Sequence, residues 1–337
     1  MATMKEVAQL AGVSTATVSR ALMNPEKVSN STRIKVEEAV IESGYAPNTL
    51  ARNLRRNESK TIIVIVPDIC DPYFTEIIRG IEDTASEHNY LILLGDSRQQ
   101  AQRENNFVNL VFTKQADGIL LLSSDIPFDI SKEEQRNLPP LVMACEYAPE
   151  LELPTVHIDN LTSAFEVVNY LTQMGHIRIA EMSGPVDAQL CQFRHQGYQQ
   201  ALRRAGISME PRYQMDGDFS FESGALVITK LLALPEPPTA VFCHNDCMAI
   251  GAIQQAKLLG YRVPEDISIV GFDDIQFSQF SDPPLTTVSQ PRYEIGKQSM
   301  LMLLDILKGR EVSAGSRLLE ANLVVRKSAA PPKNIEA

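Results

Sequence analysis

Met4-Lys5-Glu6-Val7-Ala8-Gln9-Leu10-Ala11-Gly12-Val13-Ser14-Thr15-Ala16-Thr17-Val18-Ser19-Arg20-Ala21-Leu22 is the stretch that decides what kind of chain this is. Two helices that cross at a tight angle need a small residue at closest approach, and Ala8 supplies it. The turn between them needs a residue that tolerates positive φ, and Gly12 supplies that. Val13 and Val18 plug the junction, and Ser14 caps the second helix. This leaves Thr15, Ala16 and Arg20 facing outward. An arginine there can donate two bonds to a guanine edge, while a threonine or an alanine methyl can meet thymine methyls or backbone. The pattern reads as a helix-turn-helix with a recognition helix, rather than as a helical hairpin from an ordinary core.

Working outward, Thr3 and Glu6 form a capping box at the start of the first helix. Val7, Leu10 and Ala11 are expected to face inward. Ser29 caps a third helix whose inner face is expected to carry Ile34, Val36, Ala39 and Val40, and which stops at Gly44 with Pro47 just beyond. Residues 1–46 are therefore an all-α head, and 47–60 a connecting segment that ends in the polar, charged linker Arg55-Arg56-Asn57-Glu58-Ser59-Lys60.

Charge divides along the same line. The chain of 337 residues carries a net charge of −11, which is wrong for a nucleic-acid binder as a whole. Residues 1–60 hold nine Lys/Arg and six Asp/Glu, a net +3, and the remainder holds 22 and 36, a net −14. A basic head on an acidic body suits a DNA reader fused to a regulatory domain.

From Thr61 onward, apolar strand runs alternate with helical ones. Ile62–Val66, Leu91–Leu94, Gly118–Leu122 and Leu141–Ala144 read as buried strands, with helices near 74–88 and 101–114 and a weaker one near 131–137. A second set follows in Ile177–Met182, Ala240–Cys243 and Ile267–Phe272, with helices near 190–205, 222–233 and 246–259. Short buried strands joined by helical crossovers make parallel sheets covered on both faces. The expected fold is α/β: a two-lobed body of parallel sheets over 61–337, behind the all-α head. One lobe would take about 61–158 plus 290–320, and the other 159–289 plus the C-terminal end. Thr155–Ile158 and Leu285–Val288 are placed where the chain crosses between lobes. Ligands bind beyond the carboxyl ends of such strands, which here means the cleft between the lobes.

Several function classes are excluded. There is no signal-peptide pattern and no run of the ~20 apolar residues that span a bilayer, so the chain is expected in the cytoplasm. Five scattered cysteines (Cys70, Cys145, Cys191, Cys243, Cys247) read as reduced structural thiols, and Cys243 and Cys247 beside His244 lack the second cluster a zinc site would need. No cofactor or metal is expected. A nucleoside-processing enzyme would need a phosphate loop, a zinc motif or a nucleophile elbow, and none is present. An exported sugar-binding protein would need an export signal and no DNA head.

Val13-Ser14-x-x-Thr17-Val18-Ser19-Arg20, then Gly44-Tyr45-x-Pro47-Asn48 and Ala51-Arg52-x-Leu54, resemble the lactose-repressor/galactose-repressor (LacI/GalR) family along the whole chain. Ile65-Val66-Pro67-Asp68-Ile69-Cys70-Asp71-Pro72, Glu150 to Asn160 and Gln290 to Gly296 are similar to the members of that family that answer to cytidine. The resemblance implies a periplasmic-binding-protein-like body and a sequence-specific homodimeric repressor. DNA contacts fall on Thr15, Ala16, Thr17 and Arg20 of the recognition helix. Asn48 to Leu54 would be a hinge helix too short to persist alone in water. In it, Asn48, Ala51, Arg52, Leu54 and Arg55 meet DNA, with Leu54 wedged into a minor-groove base step and Arg52, Arg55 and Arg56 on phosphates.

For the body, the resemblance implies effector contacts at Tyr73, Phe74, Arg194, Phe219, Phe221, Asn245 and Asp273. A carboxylate at 273 can accept from two adjacent ribose hydroxyls, although Arg194 and Asp273 could equally be a structural ion pair. Asp246 reads as a helix cap, and Asp159 as either a ligand contact or a fold support. Ala188, Gln189 and Leu190 stand where purine-sensing relatives carry a base-reading group, which argues against a purine. Cytidine as inducer of nucleoside uptake and catabolism genes is thus the expectation, together with the cyclic-AMP receptor protein as a partner at shared promoters. A different nucleoside, a purine or a sugar is the alternative effector.

Overall fold

The computed structural model describes residues 2–45, 58–98, 100–123, 138–147, 153–310, 312 and 316–333. The chain divides into two compact units, Met1–Ser59 and Lys60–Ala337. The hinge residues Asn48, Ala51, Arg52, Leu54 and Arg55, and the weak helix expected near 131–137, lie outside the described residues.

Among its described residues the first unit holds three α-helices, α1 (Met4–Ala11), α2 (Thr15–Met23) and α3 (Asn30–Ser43). The capping box forms: the Thr3 hydroxyl accepts from the Glu6 amide at 3.3 Å, and the Glu6 carboxylate accepts from the Thr3 amide at 2.7 Å. Gly12 has φ 62°, and the Val13 amide reaches back to the Ala8 carbonyl at 3.0 Å, which closes the helix end in the left-handed manner a side chain resists. Ser14 and Ser29 cap α2 and α3, accepting from the amides of Thr17 and Thr32. Val7, Ala8, Ala11, Val18, Ala21, Val36 and Ala39 form the buried centre. Two expected core positions differ. Leu10 and Ile34 are half exposed, because the inner stripe of α1 runs through 7, 8 and 11 and that of α3 through 36 and 39, leaving Leu10 over a quarter-turn off its stripe and Ile34 nearly opposite its own.

The second unit holds two parallel sheets. β1 (Thr61–Val66), β2 (Leu91–Asp96), β3 (Gly118–Leu121), β4 (Leu141–Cys145) and β5 (Thr155–Ile158) join β11 (Ser316–Leu319) in the order β11-β5-β4-β3-β1-β2. β6 (Ile179–Ser183), β7 (Gln214–Asp216), β8 (Ala240–Cys243) and β9 (Ser268–Val270) form the order β7-β6-β8-β9. Every pairing in both sheets is parallel. The chain passes from one lobe to the other beyond β5. It returns through β10 (Thr287–Ser289), which pairs antiparallel with β12 (Asn322–Val324).

Among the described residues seven helices cover these sheets: α4 (Phe74–Glu87), α5 (Ala101–Phe112), α6 (Asn160–Gln173), α7 (Gln189–Arg204), α8 (Phe221–Leu232), α9 (Asp246–Leu258) and α10 (Arg292–Leu307). α4 and α10 meet at Gly80 and Gly296, where a Cβ on either would collide with the backbone carbonyl of Tyr293 or Ile77. These contacts require glycine for close approach rather than for backbone freedom. β1 is buried throughout from Ile62 to Val66, as expected of a central strand. β2 is not: Leu91, Leu93 and Leu94 are 73%, 45% and 38% exposed, because β2 is the outer strand of its sheet in this chain. The apolar run that reads as a buried strand is therefore an uncovered one.

Candidate functional site

A cavity of about 640 Å³ lies between the two lobes. From the first lobe it is lined by the loop after β1 and the start of α4 (Asp71, Tyr73, Phe74) and by the residues ending β3 and β4 (Ser123, Cys145, Glu146). The second lobe contributes the N-terminal parts of α7, α8 and α9 and the residues after β9. These are the carboxyl ends of parallel strands and the amino ends of helices, the place where α/β sheets accept ligands. All seven residues expected there, Tyr73, Phe74, Arg194, Phe219, Phe221, Asn245 and Asp273, line this one cavity. They are drawn from five separate stretches of sequence.

Its floor is a chain of polar contacts. The Tyr73 hydroxyl donates to Gln290 Oε1 at 3.0 Å, and Gln290 Nε2 donates to Asp273 Oδ1 at 2.7 Å. Asp273 is buried and has φ 115°, a backbone state L residues rarely adopt. Burial raises its carboxyl well above the ordinary range, with the Arg194 guanidinium opposing. Arg194 Nη2 stands 3.9 Å from Asp273 Oδ1. The rest of the guanidinium is held by the fold: Nε donates to Asn160 Oδ1 at 2.9 Å, Nη1 donates to the His244 carbonyl, and the plane lies 3.7 Å from the Phe272 ring centre. Arg194 and Asp273 are thus an incomplete pair, with Asp273 Oδ2 making no hydrogen bond among the described residues. That geometry suits a ligand hydroxyl that bridges them.

The walls are aromatic. Tyr73 and Phe74 meet edge to face, 5.1 Å apart at 74°. Phe219 has φ 70°, and its ring lies over Gly184, where any Cβ would overlap it. Phe221 is partly exposed at the first residue of α8. Such faces can stack on a planar base.

Two assignments change. The cap of α9 is Asn245 and not Asp246: Asn245 Oδ1 accepts from the Met248 amide at 2.9 Å, while Nδ2 donates to the Phe219 carbonyl at 2.9 Å. The Asn245 amide is therefore spent on holding α9 and the Phe219 loop. Asp246 begins the helix, fully buried, accepting from the Ile275 amide, Ser278 and Thr287. Asp159 caps α6, accepting from the Thr162 amide at 2.9 Å and its hydroxyl at 2.6 Å, and it does not line the cavity. Fold support is its role.

Sequence reasoning missed the groups behind the floor. Buried Glu181 accepts from His195 Nδ1 at 2.6 Å and from His244 Nε2 at 2.9 Å. His244 is the residue whose carbonyl anchors Arg194. Missed too was Ser123, whose buried hydroxyl has no hydrogen-bond partner among the described residues. No periodic pattern marks either, because the partners are 14 and 63 residues apart. Cys145, Cys191, Cys243 and Cys247 are buried, with burial raising each thiol, and only Cys70 is exposed. No group of three or more potential ligands assembles a metal site among the described residues. No helix among them is long and apolar enough to cross a membrane.

In the head, Thr15, Ala16 and Arg20 are exposed on one side of α2, and Val18 is buried on the other. Thr17 is half-buried, its hydroxyl 2.9 Å from that of Ser14. It therefore helps to start the helix besides facing its surface.

The sequence matches two family signatures. "Bacterial regulatory proteins, lacI family" covers residues 3–48, and "Periplasmic binding proteins and sugar binding domain of LacI family" covers residues 59–324. The chain is 62% identical to the HTH-type transcriptional repressor CytR of Escherichia coli strain K12, over 97% of this chain and 96% of that one. It is 33% identical to the HTH-type transcriptional repressor PurR of Vibrio vulnificus, over 97% and 98%. Among solved structures, the lac repressor dimer bound to operator and the anti-inducer ONPF superposes with a TM-score of 0.85 at 27% identity, covering 98% of this chain and 99% of that one.

Proposed function

Because the chain belongs to the LacI family of bacterial regulatory proteins, DNA-binding transcriptional repressors with an effector-binding domain, we propose that it is the cytidine-responsive repressor of nucleoside uptake and catabolism genes. In this reading it is cytoplasmic, homodimeric and without enzymatic activity. The observation that carries it is the cleft in which an aromatic wall faces the half-paired Arg194 and Asp273. A vicinal diol needs a carboxylate and a guanidinium side by side, and a pyrimidine needs a flat apolar face. Ribose hydroxyls reach Asp273 and Arg194, and the base stacks on Phe74, Phe219 or Phe221. Ala188, Gln189 and Leu190, at the α7 start, offer no charged group to read a purine edge.

Thr15, Ala16, Thr17 and Arg20 read the major groove of each half-site, and Asn48, Ala51, Arg52, Leu54 and Arg55 serve the central minor groove. The exposed leucines of β2 support dimer formation, since a solvated apolar strand edge is otherwise a liability. Cytidine favours a lobe arrangement in which the hinges no longer pair. A coupling of ~1–3 kcal/mol lowers operator affinity about five- to 150-fold. The cyclic-AMP receptor protein is the proposed partner at shared promoters.

Fluorescence anisotropy on a palindromic operator, titrated with cytidine, uridine, adenosine, hypoxanthine and simple sugars, tests this reading. Cytidine is expected to release the DNA most strongly, or to loosen the joint complex with the cyclic-AMP receptor protein. Release by a purine base with indifference to cytidine defeats it. Asp273→Ala is expected to abolish the response and spare operator binding, and an unchanged response removes that residue from the site.

A further inference from the structure

The cleft carries a lopsided charge. Its described lining residues include seven carboxylates, Asp68, Asp71 and Glu146 from the first lobe and Asp187, Asp218, Glu222 and Asp273 from the second, against the one guanidinium of Arg194. That guanidinium is already committed to Asn160, the His244 carbonyl and the neighbourhood of Asp273. The nearby cations are turned elsewhere, Arg292 donating to the Asp274 carbonyl and Arg326 paired with the Asp274 carboxylate at 2.6 Å. Opposing this are the amino ends of α7, α8 and α9, each equivalent to about half a positive charge. Ser220 and Asn245 already cap two of them, Glu222 and Asp246 sit in the first turns of α8 and α9, and Asp187 lies two residues before α7. Burial raises the Asp273 carboxyl well above the ordinary range and that of Asp71 to about 6, so the negative charge rests on Asp68, Asp187, Asp218 and Glu222, exposed carboxylates at the rim of the cleft, and the sum remains negative. The buried Ser123 hydroxyl on the same wall, without a hydrogen-bond partner among the described residues, marks the cavity as a built polar site and not a gap in packing.

Resting on the cleft being the effector site, we infer that it sorts effectors by charge, admitting a neutral nucleoside and rejecting the same nucleoside once it carries a 5′-phosphate. A phosphate brings up to two negative charges to a cleft whose rim carries like charges, and among the described residues no cation besides Arg194 lines it. Base and ribose are identical in the two molecules, so stacking and diol contacts cannot separate them. Charge can. The repressor would then report free nucleoside alone, in a compartment where the corresponding nucleotides share its recognition features.

Calorimetric titration of the full chain with cytidine and with cytidine 5′-monophosphate measures the ratio of affinities. The nucleotide is expected to bind at least ~100-fold more weakly at low salt, with a smaller gap near 1 M salt, where screening acts over about 3 Å. Asp187 and Glu222 are exposed and make no hydrogen bond among the described residues. Asp187→Lys with Glu222→Lys is expected to narrow the ratio by ~10-fold or more. Asp187→Asn with Glu222→Gln is expected to narrow it less, and cytidine binding by either variant reports an intact fold. Nucleotide binding within about threefold of cytidine, against the repulsion expected, overturns the filter and leaves the effector site standing. A ratio unmoved by charge reversal overturns the role of the carboxylates. Binding of neither ligand removes the effector reading and the filter together.

Discussion

The head and the cleft are built on opposite plans. The head encloses seven buried side chains within 33 residues, from Val7 to Ala39, and each of its caps is closed by a partner a few residues away. The cleft draws its floor from Tyr73, Arg194, Asp273 and Gln290, with partners as far as 217 residues apart. Local rules therefore govern one region, and the meeting of distant strands governs the other. A perturbation should stay within its own region at the level of stability, and should cross between them only when effector is present.

The largest expected effect tests the cleft. Arg194→Leu removes the bonds to Asn160 and the His244 carbonyl and the cation facing Asp273. Breaking one side of a buried charge arrangement costs ~3–5 kcal/mol. Urea denaturation should show the body transition displaced by that amount, with the helical signal of the head retained. Equal loss in both transitions would break the comparison.

Next comes the head. Gly12→Val meets no steric obstacle, since nothing lies within 4 Å of a Cβ there, so its penalty is wholly that of the φ 62° backbone. That penalty is ~1–2 kcal/mol. Operator affinity should fall, while calorimetric titration with cytidine is unchanged. A parallel loss of cytidine affinity would show that the two regions share stability.

The smallest effect sharpens the view of the cleft's foundation. Burial pushes the Glu181 carboxyl up, but the bonds from His195 and His244 outweigh it and leave the group below its ordinary value of 4.5. The bond to Glu181 raises His195 above its ordinary 6.5, whereas burial lowers His244. The Glu181 contribution is thus present above pH 4.5 and lost as pH falls through the lowered folded value. The His195 contribution is full below pH 6.5 and lost as pH rises through its raised value. Both operate between those limits. Glu181→Gln should therefore lose more stability at pH 5.5 than at pH 8.5, as read from denaturation midpoints, and an equal loss at both would detach His195 from this network.

Legibility followed the same division. Gly12, Ser14, Ser29 and Gly44 announce the head because each acts on a neighbour within five residues. The alternation of apolar runs announces both sheets, yet says nothing of which strand is outermost, and so Leu91 to Leu94 read as buried. For the described helices that the sequence announces, boundaries are legible to within two residues, but α6 and α10 are not announced, and the cap of α9 fell one place from where Asp246 suggested it. The seven cleft residues could be named only through family resemblance, because no spacing links Tyr73 to Asp273. Glu181 with its two histidines, and Ser123, had no signal in the sequence. A buried polar group is recognised by its partner or its lack of one, and both are facts of three dimensions.

Gln290 stands where the chain recrosses between lobes, one amide gripping a phenol from one lobe and a carboxylate from the other. Turned over, the planar amide would set its oxygen against a carboxylate oxygen of Asp273 and lose that bond, while the phenol could still accept from its nitrogen. The angle between the lobes and the lone pairs Asp273 can offer a visiting hydroxyl are consequently set at one fulcrum. Occupancy of the cleft and the posture of the body meet at the same two hydrogen bonds.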